Sequence, residues 1–348
     1  MDMADCRAQF NEFHDNIKLK EENEVLKDKR DVIIDRLNEK LKEQTSYGFS
    51  VFTQGSYAMY TGIKPLDDDY DIDVGLYFEM SKEDVDPIVA KNWVLNALKD
   101  HTNNVKIKKP CVTVTYEAGY HVDVTVYAAN NFDGKVYLAK GKPTSNKEDK
   151  YWDESNPKDL IKTIKEYSYN EKDRKQFRRV IRYLKRWKDN KFTSVNGKPT
   201  GIALTSCVYH WLEIQKETDL FDGNTIYKDL DAMINIVSNM ISKFVNEYVS
   251  VDGEFKFMPR LRVNLPVEPR PELFEKMTAK QMETFKEKLE KLLTVLEEAK
   301  EKTDPTEASE ILQKQFGDDF PVPTKSSTGK KAMSAAVITS SESANGKN

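Results

Sequence analysis

Three cysteines, Cys6, Cys111 and Cys207, are all that 348 residues contain, and no two stand in a Cys-x-x-Cys spacing. That excludes a disulfide framework and a cysteine-ligated zinc site, and it suits a reducing compartment. Histidine is also sparse: His14, His101, His121 and His210 lie far apart, and we read all four as structural or surface residues. An excess of charge of either sign is missing. With 54 Lys and Arg against 58 Asp and Glu, no global field draws the chain to duplex nucleic acid, although a local basic patch stays open. No apolar run approaches the ~20 residues of a membrane span. The opening residues, with Asp2, Asp5 and Arg7, lack the form of a signal peptide. The expectation is a soluble, cytoplasmic protein with no membrane partner. Its length predicts two domains, and 39% apolar residues are enough to give each a core.

The pattern along the chain is uneven. From about Phe10 to Gln44, charged residues alternate with Phe13, Ile17, Leu26, Ile33, Leu37 and Leu41 at roughly helical spacing, which predicts one or two amphipathic helices. Tyr47–Val51 and Tyr70–Phe78 read as strands. Ser81-Lys-Glu-Asp84 has the form of a capping box and predicts a helix reaching Lys99. Val112–Tyr116 and His121–Tyr127 alternate and are β-branched, joined by a turn at Glu117-Ala-Gly119. The first half is therefore mixed α/β with an antiparallel-looking sheet. Beyond Tyr151 helical patterns dominate. The helix Lys172–Asp189 sets Phe177, Val180, Ile181, Leu184 and Trp187 on one face and Arg174, Arg178, Arg182 and Lys185 on an adjoining flank. Further helices are predicted over Ile202–Leu212, Leu230–Val249 and from the capping box Thr278–Gln281, whose Met282, Phe285, Leu289, Leu292, Leu296 and Ala299 repeat at three-four spacing as a core-facing seam. From Thr324 the composition predicts a flexible tail.

The chemistry concentrates between Gln54 and Val74. In a strand, Asp71 and Asp73 share one face while Ile72 and Val74 take the other. Two adjacent carboxylates repel unless a cation lies between them, and oxygen-only ligands favour a hard divalent ion such as Mg²⁺. Upstream, Gly55 allows a backbone N–H to approach a phosphate and Ser56 adds a hydroxyl. The set reads as a site for a metal-bound nucleoside triphosphate. A two-metal transfer site calls for a third carboxylate. Asp123, in the middle of the apolar strand His121-Val-Asp-Val-Thr125, is the candidate, because a lone acid there is costly without a partner. The alternative, a solvated acidic loop, draws on Asp67, Asp68 and Asp69 next door. The order of Gly-Ser, Asp-x-Asp and a later lone Asp favours the metal.

That order, with fourteen residues (57 to 70) between Ser56 and Asp71, resembles the polymerase-beta-type nucleotidyltransferases. More fully the chain resembles the CD-NTases, bacterial relatives of cyclic GMP-AMP synthase and oligoadenylate synthase. The resemblance runs from about residue 50 to 323. It is carried by Gln54-Gly-Ser56-Tyr-Ala-Met, Asp71-Ile-Asp73-Val-Gly, His121-Val-Asp123-Val, Arg182-Tyr-Leu-Lys-Arg-Trp187, Pro199-Thr-Gly-Ile-Ala-Leu204 and Phe316-Gly-Asp-Asp-Phe-Pro321. It implies an α+β fold: a polymerase-beta-like lobe with a mixed or antiparallel sheet (47–165) and a mainly helical lobe completing the nucleotide pocket (166–323). A helical segment (1–46) would pack on both lobes, and a flexible tail (324–348) would follow.

The resemblance further implies that Asp71, Asp73 and Asp123 are catalytic and bind two Mg²⁺ ions, with Mn²⁺ able to substitute. Gln54, Gly55 and Ser56 would grip the triphosphate, and Lys185 and Thr200 would neutralise or bond its phosphates. The implied activity joins nucleoside triphosphates (ATP, with GTP or a pyrimidine triphosphate open) into a cyclic di- or trinucleotide. That product would be an antiviral second messenger acting on a downstream effector, and a regulatory protein partner stays open. The scattered cysteines exclude the zinc element with which the vertebrate member of the superfamily senses DNA. The tail does not end in the glycine to which partner proteins are joined in some systems of this family. Alternatives are linear oligonucleotide synthesis, nucleotide transfer to RNA or protein, and a nucleotide-binding regulator without catalysis.

Overall fold

The computed structural model describes residues 6–19, 24–67, 69–117, 119–193, 197–218 and 223–324. Asp68 of the acidic loop, Ala118 of the hairpin turn and the expected tail at 325–348 lie outside the described residues.

The chain begins with two helices, α1 (Arg7–Ile17) and α2 (Glu24–Lys40), before β1 (Phe49–Thr53), the short α3 (Gly55–Ala58), β2 (Tyr70–Phe78) and α4 (Pro87–Leu98). It continues through β3 (Val105–Ile107), β4 (Val112–Tyr116), β5 (Tyr120–Ala128), β6 (Tyr137–Lys140), β7 (Tyr151–Glu154) and α5 (Pro157–Lys165). These seven strands form one sheet in which β2 and β5 run parallel at the centre and every other pairing is antiparallel. Alternation gives each central strand a dry face, with Ile72, Val74, Leu76 and Phe78 on β2 and Val122, Val124, Val126 and Ala128 on β5, all buried. Helices α2 and α4 cover that face, with Leu26, Ile33, Leu37, Ala90, Val94 and Leu98 in the same core.

A second core is helical. Around α6 (Glu171–Lys191) pack α7 (Gly201–Trp211), α8 (Asp229–Ser242), α9 (Ala279–Glu301) and α10 (Pro305–Phe316), while two small hairpins, β8–β9 (Lys216–Thr218, Thr225–Tyr227) and β10–β11 (Val245–Val251, Glu254–Arg260), sit on the rim. Phe177, Val180, Ile181, Leu184 and Trp187 of α6 are buried here, as the periodicity predicts. The seam Met282, Phe285, Leu289, Leu292, Leu296 and Ala299 is fully buried core. Helix α1 belongs to this core through Phe10, Phe13 and Ile17, whereas α2 belongs to the other.

Two local expectations are corrected. Ser81–Asp84 forms a turn, its Ser81 N–H donating to Asp84 Oδ2 at 2.9 Å. The helix itself starts at Pro87, because the Asp86 carboxylate accepts the Ile88 N–H at 2.8 Å and proline suits a first helical position. The helix expected to reach Val249 ends at Ser242. The alternating Val245, Tyr248, Val249 and Val251 instead pair across the turn at Asp252-Gly253, both with positive φ, which suits a tight hairpin. The flank of α6 holding Arg182 and Lys185 is buried against residues 60–64.

Candidate active site

The parallel register of β2 and β5 sets Asp73 directly beside Asp123 and Asp71 beside His121, while Thr113 of β4 lies opposite Asp123 on the other side. Adjacent residues in register share a face, so the three predicted carboxylates stand on the wet face of the sheet, opposite the valine core. Burial raises the Asp71 carboxyl above its usual range, helped by the charges of Asp123 and Asp69. Asp73 is pushed up to about 6, by burial first and then by Asp123 and Asp71. Asp123 accepts a short hydrogen bond from the Thr113 hydroxyl and lies 3.9 Å from the Lys108 ammonium.

Among the described residues no group of three or more acidic, histidine or cysteine side chains is arranged to hold a metal ion by itself. The donor set nevertheless fits a hard divalent cation. It is all carboxylate oxygen, and Asp71 and Asp73, raised by burial first and by their neighbours' negative charge second, would have that charge neutralised by such an ion.

The Gly-Ser turn lies against this row. The Gln54 N–H donates to Asp73 O at 3.0 Å, which pins the turn to β2. Gly55 has φ +70°, and a Cβ there would fall 1.8 Å from Asp73 Oδ2, so only glycine fits so close to the carboxylate. Gly55 and Ser56 line a cleft of about 560 Å³ together with Asp71, Asp73 and Lys185. The Gln54 side chain is turned inward: its amide donates to Thr125 Oγ1 at 2.7 Å and accepts from the Tyr127 hydroxyl at 3.0 Å. Through that pair it braces the turn from beneath.

Helix α6 closes the opposite wall. Arg182, Lys185 and Arg186, all buried, donate to carbonyls of the segment after the turn. Arg182 holds Tyr60 O at 2.7 Å and Gly62 O at 3.0 Å, Lys185 holds Thr61 O at 3.0 Å, and Arg186 holds Lys64 O at 2.8 Å. The Thr61 N–H in turn donates to Ser56 O at 2.9 Å. Burial brings the Lys185 ammonium down to about 7, with Lys188 and Arg182 adding like-charge repulsion. Lys188 and Asp189 also line the cleft, 3.3 Å apart, and Asp189 binds Lys198 at 2.8 Å. Thr200 is exposed, and its hydroxyl caps α7 by accepting the Ala203 N–H at 3.2 Å. The residues of that segment that line the cleft are Gly201, Ile202 and Thr205. Leu19, Met59, Ile63, Leu160, Ile161 and Leu265 add apolar surface suited to a base, beside the polar Asp69, Ser155 and Asn156. His121 bonds to Asp69 at 2.8 Å and Thr115 at 3.0 Å, beside the row.

Sequence reasoning missed Thr113, Lys108, Lys188, Asp189 and Thr205. Thr113 alone carried a signal, since it alternates onto the wet face of β4. The others arrive through packing between elements distant in sequence.

Residues 49–127, which span β1 to β5 and all three carboxylates, match the nucleotidyltransferase domain described as cyclic GMP-AMP synthase DncV-like. Over this stretch the chain is similar to the DncV-like nucleotidyltransferases. A cyclic GMP-AMP synthase of Escherichia albertii is 30% identical over 225 residues, covering 61% of this chain and 48% of the relative, so the chain spans about half the length of that curated relative. The fold extends across both lobes. The CD-NTase CdnG of Bradyrhizobium diazoefficiens, solved with GTP, superposes with a TM-score of 0.68 at 17% identity, covering 95% of this chain and 99% of that one. CdnC of E. coli, solved with ATP, gives 0.64 at 18% identity, covering 91% and 99%. The CD-NTase fold, a polymerase-beta-like lobe with a helical lobe, is thus common to all three.

Proposed function

We propose that this protein is a CD-NTase, a Mg²⁺-dependent nucleotidyltransferase that joins nucleoside triphosphates into a cyclic di- or trinucleotide, the second messenger of a CBASS-type antiviral response. The observation that carries the reading is the row Asp71, Asp73 and Asp123 with Gly55 pressed against Asp73. It sets the backbone of the Gly-Ser turn against a row of oxygen ligands. The nucleotide-bound relatives support triphosphate substrates.

In this reading Asp71 and Asp73 would hold the divalent ions and through them the triphosphate, and Asp123 would complete the ligand set toward the attacking hydroxyl. Divalent ions there supply charge neutralisation to both the entering and the leaving oxygens. Ser56 and Lys185 bind the β and γ phosphates, and Gly55 brings the backbone close to them. Gln54 acts by bracing the turn, and Thr200 by capping α7 next to Lys185. The apolar wall around Ile63, Ile161 and Ile202 holds the base and excludes water from the reacting phosphorus. A 2′ or 3′ hydroxyl of one nucleotide attacks the α-phosphorus of the next. The new P–O bond forms as the bond to pyrophosphate breaks, and a second round closes the ring.

The test is incubation with all four nucleoside triphosphates and Mg²⁺ or Mn²⁺, read by pyrophosphate release and mass spectrometry. The expected product resists terminal phosphatase, and Asp71→Asn with Asp73→Asn abolishes it. A phosphatase-sensitive product would establish linear synthesis instead, and an active double variant would sink the assignment.

A further inference from the structure

The turn between β3 and β4 is anchored more firmly than an exposed hairpin requires. Lys91 of α4 is fully buried, and its ammonium donates to Lys108 O at 2.6 Å, Lys109 O at 2.9 Å and Gly141 O at 2.8 Å. Burying an ammonium is costly, and water could have satisfied these carbonyls at an exposed turn. The anchor therefore serves position. The Lys108 N–H closes the turn on Cys111 O at 2.9 Å, which sets the Lys108 side chain 3.9 Å from Asp123. That side chain is 52% exposed, so the contact with Asp123 is loose and the ammonium can reach a ligand beside it.

Its place in the sheet decides what that ligand is. The turn carrying Gly55 and Ser56 follows β1, the edge neighbour of β2, whereas Lys108 follows β3, two strands beyond β5. The two therefore flank the carboxylate row from opposite sides. If the donor triphosphate lies at Ser56, in-line attack brings the hydroxyl from the far side of the α-phosphorus, toward Asp123. The acceptor nucleotide then carries its own 5′-triphosphate into the region of Lys108.

We propose that Lys108 binds the 5′-phosphates of the acceptor nucleotide, with the Lys91-anchored turn as the wall of the acceptor subsite. This rests on the nucleotidyl-transfer reading of the same site. It is tested by separating the two substrates. A labelled 2′,3′-dideoxynucleoside triphosphate can donate but not accept, and an α,β-methylene nucleoside triphosphate can accept but not donate. Lys108→Ala is expected to raise the KM of the methylene acceptor roughly tenfold, leave the KM of the dideoxy donor unchanged, and leave the KM of an unphosphorylated nucleoside acceptor unchanged. Lys108→Arg should restore most of the loss. An equal loss with the phosphorylated and unphosphorylated acceptors, or no loss with either, would overturn the subsite while leaving the transferase reading intact. A wild-type protein that transfers no label under any divalent-ion condition would overturn both.

Discussion

Asp73 is a carboxylate set where a carboxylate is unwelcome: half-buried, in register with Asp123, and under a glycine that leaves no room for a Cβ. Its ionised form is disfavoured in the folded protein, which raises it to about 6. Between its ordinary value near 3.8 and 6 the folded state holds a proton that the unfolded chain has released, so this residue makes stability fall as pH rises through that window. At pH 7.5 the full penalty is present. Asp73→Asn should therefore abolish transfer yet raise Tm by about 2–4 °C in the absence of divalent ions. Millimolar Mg²⁺ should raise the Tm of the wild type and not that of the variant. A thermal scan of both proteins with and without Mg²⁺ checks it, and an unchanged or lower Tm for the ion-free variant would show that Asp73 carries no such strain. That Asp71 and Asp73 share a face, and that Asp123 takes the face opposite its flanking valines, was legible from alternation alone, because a period of two fixes which face a strand residue takes. That Asp73 and Asp123 would be direct neighbours was not, since register depends on a parallel pairing between strands about fifty residues apart.

Among the elements, α6 shows how one helix can belong to a core and a site together. Its apolar stripe was readable from the spacing of Phe177, Val180, Ile181, Leu184 and Trp187. Its cations were readable as a flank, but a flank of this kind is ordinarily solvated, and only the docking of residues 60–64 onto it buries Arg182, Lys185 and Arg186. Charged hydrogen bonds to buried groups are worth about 1.5–3 kcal/mol. If Lys185 also contacts phosphate, Lys185→Met should raise the KM for nucleoside triphosphate roughly 10- to 100-fold and leave the far-ultraviolet circular dichroism unchanged. Steady-state kinetics at saturating Mg²⁺ would measure it, and an unaltered KM would confine Lys185 to holding Thr61. The capping box at Thr278–Gln281 forms as read, while the one at Ser81–Asp84 yields to Asp86 and Pro87, which supply a better start five residues later.

At the scale of the molecule, the carboxylate row belongs to one core and Lys185 to the other, so the proposed catalysis depends on how the lobes meet. His14 of α1 lies in that junction, its Nε2 accepting from Arg182 Nη1 at 3.1 Å while Arg182 holds the segment beyond the Gly-Ser turn. Burial, with the Arg182 charge, depresses His14 from 6.5 to about 4. Between those values the unfolded chain takes up a proton that the folded protein refuses. Stability is full above 6.5 and falls as pH drops toward 4, by about 3 kcal/mol for this residue. Urea unfolding of the wild type and His14→Gln at several pH values should show the difference between them closing across that window. Parallel curves would refute it.

The sequence by itself determined which residues could carry the chemistry and which faces were dry, because side-chain period is a local property of strand and helix. It also determined both cores, through the alternating valines and the three-four seam from Met282 to Ala299. Tertiary structure alone decided that Gly55 would meet Asp73, that three cations of α6 would hold Tyr60, Thr61, Gly62 and Lys64, and that Lys91 would set Lys108 beside Asp123. Each of these joins segments far apart in the chain, and their meeting follows from the packing of two cores rather than from any local pattern.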